Sequence, residues 1–388
     1  MALNITQYPA SASLAQSPMA FTVFENSGVV YSSSFQYYAD LYYWTGSASG
    51  QPAVPEYTLT KYPNESLRGI FDVSRIMNST LTDLAFSNSS NVKYYTVDFY
   101  WQYLATGGYV SGSHVTTGLY KALDGYGIFQ EPINQQLYSK TPYWPLMTDG
   151  PVTQSFLDET SGWMTCYTGN VGTTQPTKIV YNSDLGSADY ALTTTTATNG
   201  QTDIFPIGPL CSDFPLSPAV SWFSVQAYNG STPLGASIRF DDVCLQKYPN
   251  VRIKWKNRYG QFDYYNFLLV NRQGFQSTKR TYQPQLGTFQ GTSLSYNSYD
   301  SSNLNYLSDS KQTLSVNSDY VDDDYNNIIK QLLVSDEIYW VYEQNSTTET
   351  VRPITIRTDS IVFKTGVNDK LVQYSFDFDW GQSYKLII

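Results

Sequence analysis

The chain has 388 residues and a formal net charge of −10, with 41% apolar residues and only 14% charged ones. That apolar content supports folded cores and excludes wholesale disorder, and the length predicts two to three domains. The acidic balance excludes a non-specific nucleic-acid binder, which needs a basic footprint.

Tyrosine, at 35 residues, outnumbers Lys and Arg together at 23, so Tyr, Thr, Ser and Asn replace charges as the polar surface. Tyr joins an apolar body to a polar tip, which suits β-structure and broad contact areas. Interface cores are likewise aromatic-rich and poor in Lys and Glu. No basic region followed by an apolar run opens the chain, so no secretion signal is predicted. No stretch approaches ~18 apolar residues, so no membrane span is predicted.

Residues 1–16 are small and polar around Pro9 and read as an N-terminal arm without a core of its own. Residues 17–105 read as a β-sandwich-like domain. In 35–44, Phe35, Tyr37, Ala39 and Leu41 share one face; in 92–104, Tyr95, Val97, Phe99 and Trp101 oppose Tyr94, Thr96, Asp98 and Tyr100. A short helix near 72–77 is expected, capped by Asp72 or Ser66, with Val73, Ile76 and Met77 inward. Residues 106–203 read as an irregular β insertion with short strands near 119–123, 161–167 and 177–181, and the Thr-rich run 193–200 as a loop.

Residues 204–270 read as a β-domain. Strands at 222–228 and 236–243 flank the turn Asn229-Gly230-Ser231 and are expected to share one sheet with the hairpin that follows. In that hairpin Val251, Ile253 and Trp255 alternate with Arg252, Lys254 and Lys256, the pattern of a strand with one buried face and one basic, wetted face. The basic strip ending at Arg258 is thus expected to be solvated. Asn257 to Gly260 supplies the turn, and Phe262, Asp263, Tyr264 and Phe267 lie on the returning strand. Residues 271–321 are polar, with Ser, Asn, Gln and Tyr dominant, and read as an extended arm or loop lying on a neighbour. Residues 322–388 read as an α+β unit. Asp322, Asp323 and Asp324 open an amphipathic helix carrying Ile328, Ile329 and Leu332, and an antiparallel meander follows.

Catalytic chemistry is not legible. Asp322, Asp324 and Asn326 begin like a calcium loop, but Asn327 and Leu333 occupy the Gly and closing-acid positions. Asp377 and Asp379 share a strand face without a second acidic pair. Gly125-Tyr126-Gly127 lacks a third glycine, and His114 is the only histidine, expected in an exposed loop. Cys166, Cys211 and Cys244 lack a Cys-x-x-Cys pair. Buried free thiols are expected, with a Cys166–Cys211 bridge left open.

Three groups of motifs carry a resemblance. Ser17-Pro18-Met19-Ala20-Phe21-Thr22-Val23 precedes the aromatic strand at 35–43, Tyr62-Pro63-Asn64 and Gly69-Ile70-Phe71-Asp72-Val73. Cys244 precedes Lys247-Tyr248-Pro249 and Trp255-Lys256-Asn257-Arg258-Tyr259-Gly260-Gln261-Phe262-Asp263. Leu332-Leu333-Val334-Ser335-Asp336-Glu337-Ile338-Tyr339 precedes Lys364-Thr365-Gly366-Val367-Asn368-Asp369-Lys370-Leu371. Together they resemble virion structural proteins of tailed bacteriophages, of the marine and Bacteroidota-infecting, crAss-like type. The resemblance covers roughly 17–105, 204–270 and 322–385. It implies a particle component without catalytic residues, cofactors or metal.

The expected fold is therefore mainly β: several antiparallel β-sandwich-like domains, a C-terminal unit of one helix plus a β-meander, and long loops or arms. The expected function is a non-enzymatic subunit of a ring-like tail, neck or baseplate element in the virion. Its partners would be copies of itself and other phage tail or neck proteins, with no membrane and no sequence-specific nucleic acid. Acidic charge suits a lumen through which the genome passes. The alternative is a receptor- or glycan-binding tail fibre, in which Tyr42, Tyr43 and Trp44 would stand exposed as stacking platforms. Residues expected at interfaces or in internal architecture are Trp255, Asn257, Tyr259, Gly260, Phe262, Asp263, Phe267, Tyr42 and Trp44.

Overall fold

The computed structural model describes residues 3–81, 92–127, 145–168, 175–192, 202–243, 247–362 and 372–381. The run 193–200, Cys244 and the motif at 364–371 lie outside the described residues. The chain divides into two compact units. The first comprises Met1–Cys244, Lys256–Asp263 and Asn345–Thr347; the second comprises Leu245–Trp255, Tyr264–Gln344 and Thr348–Ile388. Both are mainly β, and the only α-helices among the described residues are Ser74–Thr80 and Asn326–Val334.

In the first unit the aromatic strands form the centre of a seven-stranded sheet. Its order is Ala12–Leu14, Tyr120–Leu123, Val92–Ala105, Gln36–Trp44 and Tyr57–Lys61; Gly108–Ser111 and Val115–Thr116 also pair with Val92–Ala105. Along Gln36–Trp44 the period of two is obeyed: Tyr37, Ala39 and Leu41 are fully buried, while Tyr38, Asp40 and Tyr42 are half-exposed. The buried face packs on a three-stranded sheet of Asn4–Gln7, Ala20–Phe24 and Arg68–Asp72. Phe21 and Phe71 meet Phe99 there at ring separations of 5.5 and 5.6 Å. Asp72 Oδ1 accepts from the backbone N–H groups of Met19 and Ser74, each at 3.0 Å, and so ties the start of Ser74–Thr80 to the sandwich.

Residues 1–16 are not a free arm. Asn4–Gln7 pairs antiparallel with Ala20–Phe24, and Ala12–Leu14 pairs in parallel with Tyr120–Leu123. Leu3, Ala12, Leu14 and Ala15 are buried. A strand of three residues is too short to show a period in the sequence, yet it buries Ala12 and Leu14 at the edge of the sheet. Residue 105 is not a boundary either, because Tyr120–Leu123 returns to pair with Val92–Ala105.

The segment 106–203 is no separate insertion. Its strand Lys178–Ser183 pairs with Trp222–Asn229 and with Gly186–Ala191, and Thr153–Phe156 runs parallel to Thr232–Asp242. These five strands make one sheet, closed by the hairpin at Gly230 (φ +57°). The expected single sheet over 204–270 is thereby corrected: Trp222–Asn229 and Thr232–Asp242 belong here, whereas Val251–Lys256 and Phe262–Phe267 lie in a different sheet. Partners for the first pair come from earlier in the chain, which adjacency in sequence does not reveal. Cys166 and Cys211 are both buried free thiols, so no bridge joins them.

The second unit is a seven-stranded sheet in the order Phe262–Phe267, Val251–Lys256, Ile338–Gln344, Glu349–Ile356, Ser375–Trp380, Leu304–Asn317 and Arg272–Tyr282. The meander read in the C-terminal region is its centre. Asn326–Val334, led in by the 3-10 turn Asp323–Tyr325, buries Ile328, Ile329 and Leu332 with Trp255, Phe267 and Phe376. Residues 271–321 are not a loop. Arg272–Tyr282 and Leu304–Asn317 form a long antiparallel hairpin, with a smaller one, Thr288–Gln290 and Ser293–Ser295, between them. A ribbon that is wet on both faces needs no apolar alternation, so its strands carry no hydrophobic signal.

Candidate functional site

Two places concentrate polar chemistry: the Asn257–Gly260 hairpin tip and the outer face of the aromatic sheet. A third, the long ribbon, concentrates exposed apolar surface.

The tip is organised by Asn257. Its Oδ1 accepts from the N–H groups of Tyr259 (3.0 Å) and Gln261 (3.1 Å), while its Nδ2 donates to Met147 O at 2.9 Å. Gly260 takes φ +70°, and a Cβ there would lie 2.8 Å from the backbone of Asp124. The basic strip, expected to be solvated, is instead buried and paired. Lys256 Nζ lies 2.7 Å from Asp124 Oδ2 and Arg258 Nε 2.5 Å from Asp149 Oδ2. Tyr259 donates to Asp149 Oδ1 at 2.7 Å and accepts from Arg258 at 2.6 Å. In the second unit Lys254 Nζ sits 2.6 Å from Glu349 Oε2, the two side chains 3% and 4% exposed. Arg252 donates to Asn266 Oδ1 at 2.9 Å and lies over the Tyr264 ring. Strand alternation separates two faces, but it cannot say that the second is covered by carboxylates distant in sequence.

Trp255, Asn257, Tyr259, Gly260, Asp263 and Phe267 are thus all buried and Phe262 half-buried. Their work is internal. Burial pushes the Asp263 carboxyl up to about 7, opposed by hydrogen bonds from Thr148 and Asn257 and reinforced by the charge of Asp149. A folded-state value above the unfolded one means a contribution to stability that is whole below pH ~4 and lost as the pH rises through about 7. Asp263→Asn, which stays neutral, is therefore expected to gain about 3 kcal/mol relative to the native chain between pH 5 and pH 8. Urea titrations at the two pH values measure it; parallel pH profiles for the two proteins would refute it.

On the aromatic sheet the antiparallel register sets Tyr38 opposite Tyr100, Asp40 opposite Asp98, Tyr42 opposite Thr96 and Trp44 opposite Tyr94. Trp44 is buried, stacks on Tyr94 at 6.0 Å and donates Nε1–H to Ser47 O at 2.8 Å. It is no exposed platform. Tyr38 stacks on Tyr100 (5.0 Å), and Tyr100 on His114 (4.5 Å). His114 Nδ1 lies 2.6 Å from Asp98 Oδ2, Thr116 donates to Asp98 Oδ1 at 3.0 Å, and Thr58 donates to Asp40 Oδ1 at 2.5 Å. Partial burial first, then the fields of Asp40 and Asp98, hold the Tyr42 and Tyr100 hydroxyls above the usual tyrosine range. Sequence reading placed Asp98 on this face but missed Asp40; the alternation Tyr38, Asp40, Tyr42 was the available signal.

The ribbon outruns its sheet. Ser375–Trp380 pairs with Leu304–Asn317 only over Thr313 to Asn317, so Phe275 to Tyr282 and their partners form two strands alone. Phe275, Tyr282, Leu294, Tyr296, Tyr299 and Tyr306 are exposed there, Tyr299 by 82%. Asp322, Asp324 and Asn326 stand at the helix start, and among the described residues no group of three or more His, Cys, Asp or Glu is placed to hold a metal. No described helix is long and apolar enough to cross a membrane.

These features define a multi-sheet β-protein whose densest run of exposed apolar side chains lies on a two-stranded ribbon. Comparison with known proteins narrows this no further: no family model and no curated protein matches the chain.

Proposed function

We propose that the chain is a non-enzymatic structural subunit of a tailed-bacteriophage particle, joined to copies of itself in a ring-like tail, neck or baseplate element. The ribbon carries this reading. A two-stranded hairpin is at best marginally stable in water, and this one extends about 25 Å past its sheet while exposing aromatic side chains along its length. Such a strand pair is stabilised when a neighbour covers it, and closed rings offer every copy the same neighbour. The motif resemblance and the β-rich architecture agree with this. The net charge of −10 suits a lumen that passes DNA without binding it. The glycan-binding alternative needs Tyr42, Tyr43 and Trp44 exposed together, and Trp44 is buried.

Sedimentation velocity and negative-stain microscopy of the purified chain test the proposal. The intact chain is expected to form closed rings. A variant with residues 276–311 replaced by Asn-Gly is expected to stay monomeric with an unchanged unfolding midpoint, because the deleted ribbon adds nothing to either core. An intact chain that remains monomeric would overturn it.

A further inference from the structure

We infer that the Asp40/Asp98 face is a docking site for a cationic side chain, and that its occupant is the Lys279–Arg280 pair of a neighbouring copy. This rests on the self-assembly proposed above and names where the ribbon lands.

Like charges directly opposite on antiparallel strands are destabilising, yet the register sets Asp40 against Asp98. Neither carboxylate meets a Lys or Arg among the described residues; their partners are Thr58, Thr116 and His114. Two residues from Asp98 on the same face, directly opposite Tyr42, the Thr96 hydroxyl is buried without a hydrogen-bond partner among the described residues. The Tyr38–Tyr100–His114 stack walls one side. Paired carboxylates beside aromatic rings are the surroundings that a guanidinium or ammonium group favours, through charge-assisted hydrogen bonds and cation–π attraction. All these groups lie within the first unit.

Charge selects the occupant. In a chain of net charge −10, residues 272–317 hold four cations (Arg272, Lys279, Arg280, Lys311) against two acids (Asp300, Asp309). Lys279 and Arg280 are exposed, and neither has an ion-pair partner among the described residues. Adjacent residues of a strand point to opposite faces, so either face of the ribbon laid on the platform brings one cation to the carboxylates. On the same strand, Phe275 and Tyr282 are exposed large side chains that such a contact would help to cover.

Zero-length carbodiimide cross-linking of mixed isotopically light and heavy chains tests this. Light–heavy cross-linked peptides joining Lys279 to Asp40 or Asp98 are expected. Asp40→Asn with Asp98→Asn, and separately Lys279→Ser with Arg280→Ser, are each expected to weaken self-association by roughly tenfold or more. Combining all four changes should weaken it no further. The Asn pair also relieves repulsion, so its unfolding midpoint should rise while its assembly weakens; a purely structural role would move both the same way. If rings form but no such cross-link appears and the Asn pair assembles like the native chain, this inference fails and self-assembly stands. If no association occurs at all, self-assembly fails and this inference falls with it.

Discussion

Replacing Gly125 by alanine is expected to cost the first unit about 4 kcal/mol or more, among the largest effects of any single methyl group in this chain. Gly125 has φ +118°, and a Cβ there would lie 2.1 Å from Arg258 O and 2.9 Å from the carbonyl carbons of Arg258 and Tyr259. Those are backbone atoms, so no side-chain rotation relieves the overlap. They are also held: Tyr126 N–H donates to Arg258 O at 2.8 Å, and Gly125 O accepts from Gln16 N–H at 2.9 Å. To accept a methyl group the two backbones must part, which pulls Lys256 from Asp124 and Arg258 from Asp149. Two buried ion pairs would then be lost to one steric change. Urea unfolding followed by tryptophan fluorescence gives the measurement; an effect below about 1 kcal/mol, typical of an unremarkable surface substitution, would show that the two backbones part at little cost.

The second large effect is expected in the second unit. Lys254→Met should destabilise it by about 3–5 kcal/mol, because Glu349 would remain buried without its cation. Burial holds the Lys254 ammonium below the usual lysine range, outweighing the opposite pull of Glu349. The pair is therefore under desolvation stress, and the attraction does not fully offset it. The Tyr264 hydroxyl lies 3.5 Å from the same Glu349 oxygen and carries no charge to replace the ammonium. Replacing both members, Lys254→Met with Glu349→Leu, removes the attraction and the desolvation cost together. The double variant should recover most of the loss and fall within about 2 kcal/mol of the native chain. A double-mutant cycle in urea reads the coupling directly. If the double variant is as unstable as the sum of the two single changes, the pair is not acting as a unit.

Much of the β-architecture was legible because its strands have one wet and one dry face. Phe35, Tyr37, Ala39 and Leu41, and then Tyr95, Val97, Phe99 and Trp101, were placed on shared strand faces by alternation alone, and all are buried except the half-buried Trp101. The helix over 326–334 and the meander after it were legible for the same reason. What alternation could not supply was the environment of the other face. Arg252, Lys254 and Arg258 read as wetted because nothing nearby in sequence neutralises them. Glu349 is 95 residues from Lys254, and Asp149 is 110 from Tyr259. The ribbon was hidden for the opposite reason: with both faces wet, Arg272–Tyr282 has no apolar period to find. Of the candidate positions, Trp44 and the hairpin tip proved internal. The Asp40–Asp98 juxtaposition depends on strand register, which composition does not encode.

The placement of Lys256–Asp263 within the first unit bears on biosynthesis. A ribosome that has released everything through residue 243 has delivered every strand of the sandwich and of the five-stranded sheet, but neither of the cations that Asp124 and Asp149 await. Those arrive only after translation has begun the other unit. Nascent intermediates would therefore carry two uncompensated carboxylates in an otherwise finished interior, so maturation of the earlier-made half is held back until the later-made half is under way.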